Sequence, residues 1–156
     1  MPWNIDNNWQ MDYQTSFSTS ADRKISFYAI TKAIDQWWGK VDCSADKIGN
    51  VFSVYFGNTE WRFEIRQYVP FEKVQCHCIK AYHFHFGVHD IQEEWLHTDV
   101  LWDIAATEND TMITMTHKGL HRDLNFYDVC KSGWDYFIAT SLKNYSETGT
   151  GNPHFE

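Results

Sequence analysis

The chain has 156 residues and a formal net charge of -8, from 21 acidic against 13 basic side chains, a length that one domain with a single core accommodates without disulfide staples. An acidic chain without clustered Lys and Arg is a poor match for a nucleic-acid backbone or an anionic membrane, so neither is expected as a partner. Aromatic residues make up 17% of the chain, with 8 Trp, a composition that suits a lined cavity as well as a solid core.

Met11, Tyr13, Thr15 and Phe17 alternate with polar residues, the period of a strand with one buried face. Ser20 is then expected to cap a helix beginning Ala21-Asp22-Arg23, with Ile25, Tyr28 and Ala29 on one side. Thr31 is expected to cap a shorter helix carrying Ile34, Trp37 and Trp38, which Gly39 ends. After a polar loop to Gly49, Val51 to Phe56 reads as a strand turning at Gly57-Asn58 into a second with Trp61, Phe63 and Ile65 on one face, a hairpin. Pro70 breaks the ladder before a strand with Val74, Cys76 and Cys78 alternating. Thr98, Val100, Trp102 and Ile104 mark another strand, and a turn at 108–110 leads to Ile113, Met115 and His117.

A long amphipathic helix closes the chain. It opens at Asn125 as N-cap, with Asp128 three residues on, and stops at Gly149. Phe126, Val129, Cys130, Trp134, Phe137, Ile138, Leu142 and Tyr145 recur at spacings of three and four along one face of a helix about 34 Å long. The tail beyond Gly149 is expected to fray, leaving roughly residues 9–149 ordered within one domain spanning 1–156. Strands and helices are segregated rather than alternating, so the fold class is α+β, a curved antiparallel sheet gripping the C-terminal helix. No apolar run reaches the roughly 18 to 20 residues of a membrane span, and no secretory signal is read at the N-terminus, so a soluble cytoplasmic protein with free thiols is expected.

Four stretches resemble a known superfamily. Ala21-Asp22 leading to Trp37-Trp38, then Glu94-Trp95-x-x-Thr98 followed by 101–104, then Thr116-His117-x-Gly119-Leu120, and finally Gly133-Trp134 with the stop Gly149-x-Gly151-x-Pro153 occur in the superfamily's order. The chain is similar to the START-like (SRPBCC) superfamily, whose helix-grip architecture is shared with the birch-pollen allergen. In particular it resembles bacterial single-domain homologues of the activator of the heat-shock protein 90 ATPase, in a superfamily that also holds polyketide cyclases and lipid carriers. The resemblance implies a hydrophobic cavity between sheet and helix that takes a small, largely apolar molecule. Two alternatives follow from it: a stress-related co-chaperone that binds a chaperone through its surface, and a cyclase- or hydrolase-like enzyme using His117.

The expected ligand-binding set places Phe63, Trp95, Thr98, Trp102 and His117 on strands facing Trp134, Phe137 and Ile138 on the helix, with Trp37 and Trp38 closing one end. The same side chains would serve equally as interdigitated core. Gly133 stands out because glycine inside a helix costs about 1 kcal/mol relative to alanine, so either a bulky sheet residue or a ligand is expected against it. His117 has no recognisable carboxylate partner, and no residue is assigned as catalytic. In the run His83-Phe84-His85-Phe86-Gly87-Val88-His89, three imidazoles could approach one ion, but the spacing is no zinc signature and the alternation equally describes an exposed strand face, so no metal is assigned. With no phosphate loop and no nucleophile elbow, no cofactor is expected. Oligomeric state is not readable at this level.

Overall fold

The computed structural model describes residues 11–85 and 91–154. In chain order it runs β1 (Tyr13–Thr19), α1 (Arg23–Thr31), a 3-10 turn (Ile34–Gln36), β2 (Lys40–Val41), β3 (Val51–Phe56), β4 (Thr59–Val69), β5 (Lys73–Tyr82), β6 (Asp99–Ala106) and β7 (Thr111–Lys118). A continuous helical run ends the fold: α2 (Tyr127–Tyr136), a π-helical turn (Phe137–Leu142) and α3 (Lys143–Thr148).

All neighbours in the 7-stranded sheet, ordered β1-β7-β6-β5-β4-β3-β2, are antiparallel. The first strand pairs with the last, Tyr13 opposite His117 and Thr19 opposite Thr111. The β4/β5 ladder shifts register between Arg62 and Phe63 and again between Ile65 and Gln67, and such bulges bend and twist a sheet. On the strands that face the helix, alternate residues are sealed: Trp61, Phe63 and Ile65 on β4, Val100, Trp102 and Ile104 on β6, Ile113, Met115 and His117 on β7. Phe126, Cys130, Trp134, Ile138 and Leu142 complete the interior from the helical run. The fold class expected from the alternation is the one observed. No helix among the described residues is long and apolar enough to cross a membrane.

Several local expectations are corrected. Asp22, not Ser20, caps α1, its Oδ1 accepting from the Ile25 N–H at 2.8 Å. Starting there, α1 buries Phe27 and Ile30 and leaves Ile25 50% exposed. Thr31 ends α1, its hydroxyl donating to the Phe27 carbonyl at 2.8 Å rather than capping a second helix, and residues 34–36 make a single 3-10 turn. The expected polar loop holds β2, in which Val41 pairs with Val54.

The long helix starts at Tyr127. Its first amides are capped from afar: the Glu94 carboxylate accepts from the N–H groups of Asn125 at 2.8 Å and Phe126 at 2.9 Å, which also places negative charge at the positive end of the helix dipole. Gly149 ends it in the left-handed conformation, φ 84°.

The expectation that the chain frays after Gly149 is overturned. Ser141 Oγ donates to the Trp37 carbonyl at 2.7 Å and accepts from Asn152 N–H at 2.7 Å. His154 N–H donates to the Trp38 carbonyl at 2.9 Å, and the residue bridges Gly39 in parallel. A Cβ on Gly151 would stand 2.4 Å from the Gln36 carbonyl oxygen, so only glycine lets the tail lie this close. Residues 150–154 thus form a strap across the segment 36–39.

Candidate functional site

Six of the 8 tryptophans in the chain, at 37, 38, 61, 95, 102 and 134, join one continuous cluster. Trp61 and Trp95 stack at 4.2 Å between centroids, Trp95 and Trp134 lie within 9° of parallel at 5.7 Å, and Trp38 stacks on Trp61 at 5.3 Å. Indoles bury large flat areas but carry an N–H that needs an acceptor. Trp37 donates to the Ala29 carbonyl at 2.7 Å, Trp95 to Cys130 Sγ at 3.2 Å, Trp134 to His117 Nδ1 at 3.1 Å and Trp61 to His83 Nε2.

Against four of these rings the sheet and α2 stand apart, leaving a cavity of about 300 Å³. Trp38, Trp61, Trp95, Trp134, Phe126, Cys130 and Thr59 are buried and form its depth. Phe84, His85 and Val129 are exposed and Phe56, Phe137 and His154 half-buried, which puts them at the mouth. Gly133 also lines the space, and a Cβ built on it would meet nothing within 4 Å. Close packing against the sheet, one of the two accounts of this helical glycine, is therefore ruled out: it borders a void. No Asp, Glu, Lys or Arg is among the described lining residues.

Thr59 is occupied on both sides, accepting from Phe84 N–H at 2.9 Å and facing the Phe84 carbonyl at 3.4 Å. Burial pushes the Cys130 thiol up to about 12, so it stays a neutral thiol rather than a nucleophile at neutral pH.

The expected ligand-binding residues divide into three groups. Trp38, Trp95, Trp134 and Phe137 line the cavity. Trp37, Phe63 and Trp102 border, together with Trp38, a second space of only about 20 Å³, too small for anything but packing. Thr98, His117 and Ile138 line neither and are sealed in the interior.

His117 is 0% exposed. Indole can only donate, so Trp134 Nε1–H fixes Nδ1 of His117 as an acceptor. The ring proton then sits on Nε2 and donates to Thr98 Oγ1 at 2.9 Å, and Thr98 in turn donates to the Trp95 carbonyl at 2.6 Å. Burial, with His83 nearby, lowers the His117 pKa to about 3. The imidazole is a neutral bolt between β7, the residue just before β6, and α2, with no face toward the cavity and no proton to exchange with its contents. The acid–base role weighed for it has no geometric basis.

His83 corrects another expectation. It is buried while Phe84 is 40% exposed and His85 is exposed too, so of the described part of the run only the first imidazole turns inward. Burial lowers its pKa to about 3. With Nε2 accepting from Trp61, Nδ1 carries the proton and makes no hydrogen bond of normal geometry. His89 lies outside the described residues; among those described no three His, Cys, Asp or Glu side chains converge on a common point.

Sequence reasoning missed Phe56, Thr59, Trp61, Phe84, His85, Phe126, Val129, Cys130 and His154 as cavity residues. Trp61 alternates with Phe63 on the same strand face, but alternation reports the face and not the position along it. For His154 there was no signal, since it follows the expected helix stop.

No family model and no curated protein sequence matches the chain. Among solved structures it is similar to the Aha1 dimer from Colwellia psychrerythraea, with a TM-score of 0.73 and 21% identity, covering 90% of this chain and 98% of that one. It is similar also to DynU16, a protein in the dynemicin biosynthetic locus, with a TM-score of 0.73 and 18% identity over 93% of this chain and 51% of that one. The fold is the START-like helix grip. CalU16 from Micromonospora echinospora shares it at a TM-score of 0.61 and 15% identity, over 90% of this chain and 76% of that one. Within this fold, the Glu-Trp-x-x-Thr and Thr-His-x-Gly segments have visible structural roles. Glu94 caps α2, Trp95 joins the stack, Thr98 engages His117, and Gly119, at φ 99°, would bring a Cβ to 2.6 Å from Thr98 Cγ2.

Proposed function

We propose that this START-like domain binds a small, largely apolar molecule in the cavity between the sheet and α2. The observation that carries the reading is the hollow itself: about 300 Å³ lined by four indoles and four phenyl rings, at the small end of the range typical of ligand sites. Gly133 supports it. A helical residue that costs about 1 kcal/mol and packs against nothing is accounted for by the space it leaves. A co-chaperone acting only through its surface has no need of such a hollow.

The test is titration with N-phenyl-1-naphthylamine, a neutral apolar fluorophore, read by energy transfer from the tryptophan cluster. Saturable binding of one molecule per chain is expected, and Gly133→Leu, which fills the cavity from the helix side, should abolish it with the circular dichroism spectrum unchanged. Absence of saturable binding, or binding indifferent to Gly133→Leu, removes the proposal.

A further inference from the structure

The cavity lining is almost entirely apolar, and its few polar side chains are not equivalent. Thr59 is consumed by the Phe84 backbone, and the Cys130 thiol by the Trp95 indole. His154 differs. It lines the mouth with its ring stacked on Phe56, centroids 4.4 Å apart and planes 26° from parallel. Its backbone is held at the Trp38 carbonyl by the strap. Yet neither ring nitrogen makes a hydrogen bond or ion pair among the described residues. An imidazole in either tautomer presents one N–H donor, and here the ring that carries it is held by the stack and the strap. Two other features near the mouth suit negative charge: the positive end of the α2 dipole, which is already occupied by Glu94, and the exposed His85 imidazole, which lacks the stack and strap that hold His154.

Resting on the cavity reading above, we infer that the ligand is an aromatic acid: a flat ring system inserted among the indoles, with its carboxylate or equivalent oxyanion held at the mouth by His154. Flatness follows from the near-parallel rings of Trp61, Trp95 and Trp134. The oxyanion follows from a ring donor held at the mouth, with no carboxylate among the described lining residues to repel it, and a charge-assisted hydrogen bond is about twice as strong as a neutral one. His154 is then a specificity-determining residue.

A matched pair of probes tests this: 1-anilinonaphthalene-8-sulfonate and N-phenyl-1-naphthylamine, which share a ring system and differ by the anionic group. The sulfonate should bind more tightly to the full chain. His154→Phe, which keeps a ring on Phe56 and removes the donor, should weaken the sulfonate about tenfold and leave the neutral probe within twofold; His154→Gln should restore part of the loss. Equal binding of both probes, or an equal response of both to His154→Phe, overturns the inference while the cavity reading stands. Failure of both probes to bind the unaltered chain removes the cavity reading as well.

Discussion

Trp38 borders two interiors built from the same kind of side chain but with opposite outcomes. Toward Trp61, Trp95 and Trp134 the sheet and helix enclose about 300 Å³; toward Trp37, Phe63 and Trp102 only about 20 Å³ is left. In the closed region Ile30 and Ile34, from α1 and the 3-10 turn, fill the gaps between the rings. In the open region the opposing wall is α2, and the residue that could fill the space is Gly133. Aromatic content therefore does not decide whether a core is hollow. One missing side chain and the absence of a third layer do.

The largest expected effect breaks the closed region. Phe63→Ala should cost about 3–5 kcal/mol of stability, read as the shift of a urea unfolding midpoint, because a well-packed site cannot collapse around the hole. Phe137→Ala, at the cavity mouth, should cost less than half as much. Equal losses would mean that the two regions are packed alike.

Acid should act next, through the two buried histidines behind the indoles. Both His83 and His117 have folded values near 3, below the ordinary 6.5, so the unfolded chain binds protons that the folded chain refuses. The stability they confer is complete above pH 6.5 and declines as pH falls toward 3, by up to about 1.4 kcal/mol per pH unit for each histidine. Urea midpoints between pH 7 and 5, a range in which ordinary carboxylates stay charged, should show that slope, and His83→Phe should remove about half of it.

Gly151→Ala should be milder, on the order of 1–3 kcal/mol from overpacking, since its Cβ would meet the Gln36 and Ser141 carbonyl oxygens at 2.4 and 3.1 Å. Lifting the strap moves His154, so discrimination between anionic and neutral probes should fall with stability. The smallest effect has the opposite sign. Gly133→Ala should stabilise by up to about 1 kcal/mol through helix propensity while weakening probe binding, a divergence that thermal melting and titration would reveal together.

Much of this was legible in the sequence. The period-2 runs of β3, β4, β6 and β7 and the three-four spacing of the helix define which faces are buried, and burial follows them at Phe63, Trp102, His117 and Leu142. What was not legible depends on contacts remote in the chain. Glu94 caps a helix that begins 33 residues later, and Ser141 holds the strap by reaching Trp37. The site suffered in the same way. Trp61 and Phe63 share a face of β4, yet one lines the hollow and the other the packed end, a distinction set by where α1 stops along the sheet. Gly133 was the exception: a helical glycine is visible in any sequence, and which of its two explanations applies needed only the space beside it.

The π turn in the C-terminal helix sets a rotational phase. Lys143 N–H donates to the Ile138 carbonyl, five residues back instead of four, which lodges one surplus residue between Trp134 and the strap. Each residue of an α-helix advances the azimuth by about 100°. Winding 137–142 as a regular α-helix with no residue removed would leave Cys130 and Trp134 facing the sheet as before. Everything from Lys143 onward would be turned through that angle, carrying Ser146, Gly151 and His154 off their present bearings. The direction from which the strap reaches the cavity mouth is thus set half a helix away, by one extra residue in a single turn.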